Sequence, residues 1–236
     1  MLNLFSIVKY ESLMLVRTWK FWIIVAIGVF LPILFNVLFI IADRVGTNVG
    51  WQGLEGAGPY VMFSYFNIFQ IVIIIFLTGD FREKDTRAQV DEVMNSRSMT
   101  NLEYIFGKYL GIIIPLVLLT LTVVLFLSIA NRIVNDTWSL TYYFKFFLIL
   151  NLPGLLFAAA FIIFVSSLLR NSFVVFIFVL SYTIGMILLS YNKAFSMNQL
   201  WLFADYVGFF LPLFPSDLTG VLNLDIIISQ RLFYTL

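Results

Sequence analysis

The chain has 236 residues, 61% hydrophobic and 11% charged, with 14 basic and 13 acidic side chains, no His and no Cys. Soluble domains carry about 25% charged residues, so this set cannot build a water-facing surface, and a mean hydropathy of +1.00 points to a membrane protein. Without His or Cys there are no disulfides, no zinc sites with nitrogen or sulfur ligands, no His-ligated haem and no Ser-His or Cys-His nucleophile; a net charge of +1 gives no reason to expect nucleic acid.

Residues 1–20 are basic and amphipathic. Ile7, Tyr10, Met14 and Trp19 fall on one stripe, interrupted by Lys9, Glu11, Arg17 and Lys20. The pattern predicts a helix lying in the membrane interface, aromatic residues at headgroup depth, that turns into the first span. Its role is either a positive-inside anchor or docking. A signal peptide is not expected, because the following apolar run is too long for an h-region. Apolar runs predict spans over residues 21–41 and 60–79, with a Gly-rich external loop at 46–58 between them.

A charged island at residues 80–108 follows, set between two uncharged runs of about 20 residues each, long enough at ~1.5 Å per residue to cross a core of ~30 Å. It holds six of the 13 acidic residues (Asp80, Glu83, Asp85, Asp91, Glu92, Glu103) and five of the 14 basic ones (Arg82, Lys84, Arg87, Arg97, Lys108). Over residues 80–94, Glu83 with Arg87 and Arg87 with Asp91 are spaced i,i+4, and Val90, Val93 and Met94 form an apolar stripe on another face. This predicts a short amphipathic helix able to meet a soluble partner. The plainer reading is a charged loop that only marks the cytoplasmic side, although a bare connection needs only a few residues. Small polar residues at 95–100 break the pattern, and Thr100-Asn101-Leu102-Glu103 is a capping box that opens a new helix.

Further spans are predicted at 109–130, 146–169 and 172–191. Residues 201–222 are apolar but contain Asp205, Pro212, Pro215 and Asp217. A charge at mid-membrane costs about 2.5–3.5 kcal/mol, so a re-entrant external segment over 201–225, buried against protein, is expected instead of a span. Residues 226–236 approach another helix with Gln230 and Arg231 at its mouth. Lys9, Arg17, Lys20, Arg82, Lys84, Arg87, Arg97, Lys108 and Arg170 flank one side, and Arg44, Arg132, Lys145, Lys193 and Arg231 the other. Nine against five places the N-terminus and the island in the cytoplasm.

Polar residues inside spans are Asn36, Asn67, Gln70, Thr120, Thr122, Asn151, Ser166, Ser167 and Ser181. Asn67 and Gln70 share a face; they either line a translocation path or make interhelical hydrogen bonds. Pro32, Pro115 and Pro153 predict kinks. Gly154, Ala158 and Ala159 form a small-residue packing face. No internal repeat or linker divides the chain. The expected fold is all-α: a polytopic transmembrane bundle of about five spans, with an interfacial helix, a cytoplasmic helix and a re-entrant segment.

Arg17-Thr18-Trp19-Lys20-Phe21-Trp22 before the first span, Asp80-Phe81-Arg82-Glu83-Lys84-Asp85-Thr86-Arg87 after the second, and Thr100 to Lys108 opening the third together resemble the permease subunit of ABC-2 type exporters. The resemblance implies a single permease domain over 1–236 in a cell membrane, such as a bacterial inner membrane. It further implies that the loop after the second span carries the coupling helix. On that basis Asp80, Arg82, Glu83, Lys84, Asp85, Arg87, Val90, Asp91, Val93 and Met94 dock an ATPase subunit. It also implies two permease halves, homo- or heterodimeric, with two ATPase subunits, in membrane lipid. The C-terminal region departs from the family pattern by the missing last span.

A P-loop needs G-x-x-x-x-G-K-[ST]. The Gly107-Lys108 pair is followed by Tyr109 and preceded by no suitable glycine, so the chain cannot bind ATP by that route. No catalytic residue, cofactor or metal ligand is expected. An intramembrane aspartyl enzyme is disfavoured, because none of the five predicted spans contains an acid. A scaffold or sensor that recruits a cytoplasmic partner through the island is the alternative function.

Overall fold

A computed structural model of the chain describes residues 2–44, 57–79, 100–134, 140–169, 171–191, 205–208, 215–216, 220–221 and 224–235. The predicted coupling helix, with Asp80, Arg82, Glu83, Lys84, Asp85, Arg87, Val90, Asp91, Val93 and Met94, lies outside the described residues.

Two helices open the chain: α1 (Leu2–Arg17) and α2 (Trp19–Arg44), meeting at a 74° bend. Thr18 makes the corner: its Oγ1 donates to the Leu15 carbonyl at 2.8 Å and accepts from the Phe21 N–H at 3.4 Å. A short hydroxyl side chain thereby ends one helix and caps the next. Val8 is buried, and Ile7, Glu11 and Ser12 face residues 107–111, whereas Phe5 and the stripe residues Tyr10 and Trp19 are exposed.

Helix α3 (Ala57–Thr78) is uncharged and mostly apolar, with Ser64, Asn67, Gln70 and Thr78 as buried polar residues, and α2 approaches it at Gly28, where an added Cβ would lie 2.7 Å from Ile73. Helix α4 (Asn101–Val134) is a single element of 34 residues that runs through Pro115. It begins where the capping box places it. The Thr100 N–H donates to Glu103 Oε2 at 3.1 Å, and the Glu103 N–H donates to Thr100 Oγ1 at 3.3 Å, so two end amides are satisfied reciprocally.

Next come α5 (Leu140–Phe146), a π-helical turn (Phe147–Asn151) and α6 (Leu152–Leu168). This helix starts earlier than the predicted 146, because Tyr143 and Phe146 are buried residues packing with Tyr60 and Phe63 of α3. The predicted kink at Pro153 takes the form of the π turn: a proline just inside α6 has no N–H to donate, and the Leu152 N–H bonds back to the Phe147 carbonyl. Helix α7 (Ser172–Tyr191) matches its predicted bounds. A buried turn at residues 205–208 follows. Then come a two-residue antiparallel ladder, β1 (Pro215–Ser216) with β2 (Gly220–Val221), and a short helix, α8 (Leu224–Phe233).

The segments Leu102–Ile129 and Leu140–Leu168 are each long and apolar enough to cross a membrane; the bent α1–α2 pair adds a third if taken as one span. Met62–Thr78 and Ser172–Met186 are shorter apolar helices. Two apolar cores hold the helices together, one around Ile74, Leu116, Ala159 and Val179, the other around Phe63, Val124, Phe146 and Leu150. The outward faces carry exposed Phe30, Leu118, Phe164 and Phe173, an apolar exterior that a monomeric soluble protein does not tolerate. The helical, apolar architecture is compatible with a helical membrane protein.

Candidate functional site

Most of the hydroxyls inside the helices are consumed locally. Thr120, Thr122 and Ser166 each donate to the carbonyl four residues earlier, and Ser167 to the one three earlier. The amides behave differently and gather with two charged residues in one place.

Asn67 lies ten residues into α3, about 15 Å along its axis, and Asn151 eleven residues beyond Leu140, about 17 Å along its own. The two face each other. Asn151 Nδ2 donates to Asn67 Oδ1 at 2.8 Å and to Gln70 Oε1 at 2.6 Å. Asn67 Nδ2 in turn reaches the Leu150 carbonyl at 3.4 Å and the Val207 carbonyl at 2.9 Å. The i,i+3 spacing of Asn67 and Gln70 thus presents both amides to one acceptor-donor group on the neighbouring helix. Each of the three is buried.

The turn Asp205–Gly208 explains why these amides are needed. It is non-helical backbone inside the bundle, and its carbonyls require partners that water cannot supply there. Three successive carbonyls are met by three polar side chains from elsewhere. Gln230 Nε2 donates to Asp205 at 2.8 Å, Arg231 Nη1 to Tyr206 at 2.9 Å and Asn67 Nδ2 to Val207 at 2.9 Å. The turn closes itself through the Gly208 N–H, which donates to Asp205 Oδ1 at 2.9 Å. Gly208 has φ 73°, and an added Cβ there would sit 1.1 Å from Arg231 Nη2. Only glycine fits, both for the backbone and for the guanidinium lying on its Cα.

Tyr206 is the apolar anchor of the turn. Its ring packs with Phe157, Phe161 and Tyr182 at centroid distances of 5.5, 6.2 and 5.7 Å, and its hydroxyl pairs with Thr183 Oγ1 at 2.7 Å. Arg231 is 2% exposed and Asp205 4% exposed, and the Asp205 carboxylate acts electrostatically on the guanidinium. Sequence reading assigned Arg231 to a helix mouth and missed this contact. The usable signal was a lone Arg and a lone Asp in neighbouring apolar segments, since buried charges in such surroundings are normally paired. Among the buried polar atoms, Gln70 Nε2, Asn151 Oδ1, and Arg231 Nε and Nη2 have no hydrogen-bond partner.

A second polar contact lies at the other end of the bundle. Along α1, Ile7, Val8 and Glu11 press against Gly107 and Gly111 of α4; an added Cβ would come 2.8 Å from Ile7 and 2.7 Å from Glu11. Glycines four residues apart give this close approach. It is sealed by Ser12 Oγ donating to the Gly111 carbonyl at 2.8 Å and by Glu11 pairing with Lys108 at 3.3 Å. Lys108 is buried and also lies 5.1 Å from the Tyr104 ring centroid, within cation–π range. Glu11 is therefore a packing residue and not an interruption of the α1 stripe, and the Gly107-Lys108 pair acquires a structural reason. Among the described residues no group of acidic or nitrogen and sulfur side chains could hold a metal ion.

No protein-family model, no curated protein and no solved structure matches this chain.

Proposed function

We propose that the chain is the membrane subunit of an ABC-2 type exporter, with α2, α3, α4, α5–α6 and α7 as five spans and a separate ATPase docking at the island of residues 80–108. The observation that carries this reading is the arrangement at the α1 end. Thr78, the last residue of α3, and Lys108, near the start of α4, line one cavity together with Glu11 and Thr18. Both attachment points of the island therefore flank the clamped interfacial helix, so a force applied to the island reaches α1, α3 and α4 together. The chain supplies no nucleotide site and hydrolysis falls to the partner; a second permease half completes the transporter. The Asp205–Gly208 turn, non-helical and buried against α3 and α8, is compatible with a re-entrant segment over 201–225. Its unused donors on Gln70 and Arg231 are groups that a substrate passing Asn67 and Gln70 could engage.

Reversing Glu83 and Asp91 to Lys is expected to weaken co-purification of the ATPase while membrane insertion stays intact; unchanged co-purification sinks the docking role. The topology is checked with single cysteines in a chain that has none: Asn48→Cys labels from outside intact cells and Ser98→Cys does not. The reverse pattern overturns the orientation. A second reading, a scaffold or sensor that recruits a cytoplasmic partner, is favoured by one observation: Asn67 and Gln70 are buried against protein in this conformation. Partner-dependent efflux from vesicles decides between the two.

A further inference from the structure

Packing accounts for one side of α1 only. Ile7, Val8, Glu11 and Ser12 meet α4 around Gly107 and Gly111. Glu11, the single acid among residues 2–17, is turned to that side and pairs with Lys108 at 3.3 Å. The opposite side carries Phe5, Lys9, Leu13 and Arg17 at strict i,i+4 spacing, which aligns them in one stripe, and all four are exposed. Tyr10 stands beside the stripe and is 70% exposed. Large apolar and basic side chains thus alternate along a face that holds no acid, the composition of a helix that lies in a lipid interface.

The corner at Thr18 sets the depth of that face. Helices α1 and α2 meet at 74°, so with α2 along the bilayer normal α1 lies about 16° (90 − 74) from the membrane plane. One residue separates the two helices, so α1 cannot leave the level at which α2 enters the bilayer. Trp19, the first residue of α2, is 78% exposed at that level, as aromatic residues at headgroup depth are. With its inner side against α4, α1 turns the stripe sideways into the surrounding lipid.

We infer that this stripe binds the anionic lipid of its own leaflet, with Lys9 and Arg17 on headgroup phosphates and Phe5 and Leu13 in the upper acyl region. Lys and Arg reach for the polar layer while their stems stay on apolar surface, so a base and the apolar residue one turn away serve the two layers of one lipid. Lipid meets both kinds of side chain at the depth where the corner holds them; an acidic protein surface would have to reach that depth as well. The inference rests on the membrane reading above and not on coupling to an ATPase.

The chain has no native cysteine, so Leu13→Cys carries a single nitrobenzoxadiazole label into vesicles of phosphatidylcholine with a minor fraction of phosphatidylglycerol. Bromine on the upper acyl chains of one lipid or the other quenches the label according to the local concentration of that lipid. Per mole present, brominated phosphatidylglycerol is expected to quench about fivefold more than brominated phosphatidylcholine, the preference expected for a base beside an anionic headgroup. The double variant Lys9→Gln with Arg17→Gln is expected to bring the two lipids level. A label at Leu118→Cys, an exposed position of α4, is the reference, where both lipids quench alike. Equal quenching at residue 13 overturns the anionic choice, and a preference that survives the double variant overturns Lys9 and Arg17 as its source. Quenching at residue 118 with none at residue 13 means that protein or water covers the stripe, and overturns the lipid surface alone. Absence of quenching at both positions strikes the membrane reading and the lipid surface with it.

Discussion

Arg231→Leu is expected to destabilise the folded chain in detergent by about 1–3 kcal/mol, the usual cost of leaving a buried acceptor without its donor. The side chain does two jobs at once: Nη1 satisfies the Tyr206 carbonyl at 2.9 Å, and its charge answers Asp205. Leucine removes the positive charge that acts on Asp205 and leaves the buried Tyr206 carbonyl without that donor. The double variant Asp205→Asn with Arg231→Leu is expected to lose less than the sum of the two single changes, because the unanswered carboxylate is gone. Gly208→Ala attacks the same contact from the other side, since its methyl would occupy the place of Nη2 and a non-glycine residue at φ 73° adds about 1–3 kcal/mol of strain. Equilibrium unfolding in mixed micelles measures all four. An Arg231→Leu variant within about 0.5 kcal/mol of wild type, the range of inconsequential surface changes, would show that the cluster does not hold the turn.

The same cluster marks the boundary of what the sequence discloses. Hydrophobic runs located the apolar helices because period and length are local properties, and the capping box at Thr100 and Glu103 fixed the start of α4 to the residue. The apolar character of 201–222 interrupted by Asp205 and Asp217 was also legible, because an acid in such a run has an evident cost. What could not be read was which residues meet that cost. Asn67, Gln230 and Arg231 converge on Asp205–Gly208 from sequence separations of 140 and 25 residues, and no local pattern encodes a meeting at that distance. Asn151 belongs with them only because the π turn before Pro153 aims it at α3. On α1 the exposed Tyr10 and Trp19 are in keeping with an interfacial helix, and what local pattern did not show is the packing of Ile7, Val8 and Glu11 on α4, where Lys108 neutralises Glu11.

Gly111→Leu is expected to release α1 from α4 while leaving the spans folded. A Cβ at this position would lie 2.7 Å from the Glu11 Cβ and 3.2 Å from the Val8 carbonyl oxygen. The second of these is backbone and cannot swing aside, so the whole of α1 must move. Moving it breaks the Ser12 to Gly111 hydrogen bond, worth about 1 kcal/mol, and separates Glu11 from Lys108. The loss is local, because α1 joins the rest of the bundle through the Thr18 corner and can lift as a unit. Trypsin should then cut at Lys9 and Arg17 several-fold faster than in wild type, while helix content measured by circular dichroism changes little. Gly185→Ala is the matched control: nothing lies within 4 Å of a Cβ added there, and the change should be neutral or slightly stabilising, since alanine exceeds glycine in helix propensity by about 1 kcal/mol. Wild-type trypsin kinetics in Gly111→Leu would show that the two glycines do not set the contact. If the kinetics change as expected but ATPase co-purification does not, α1 is an anchor and the docking surface lies wholly in the island.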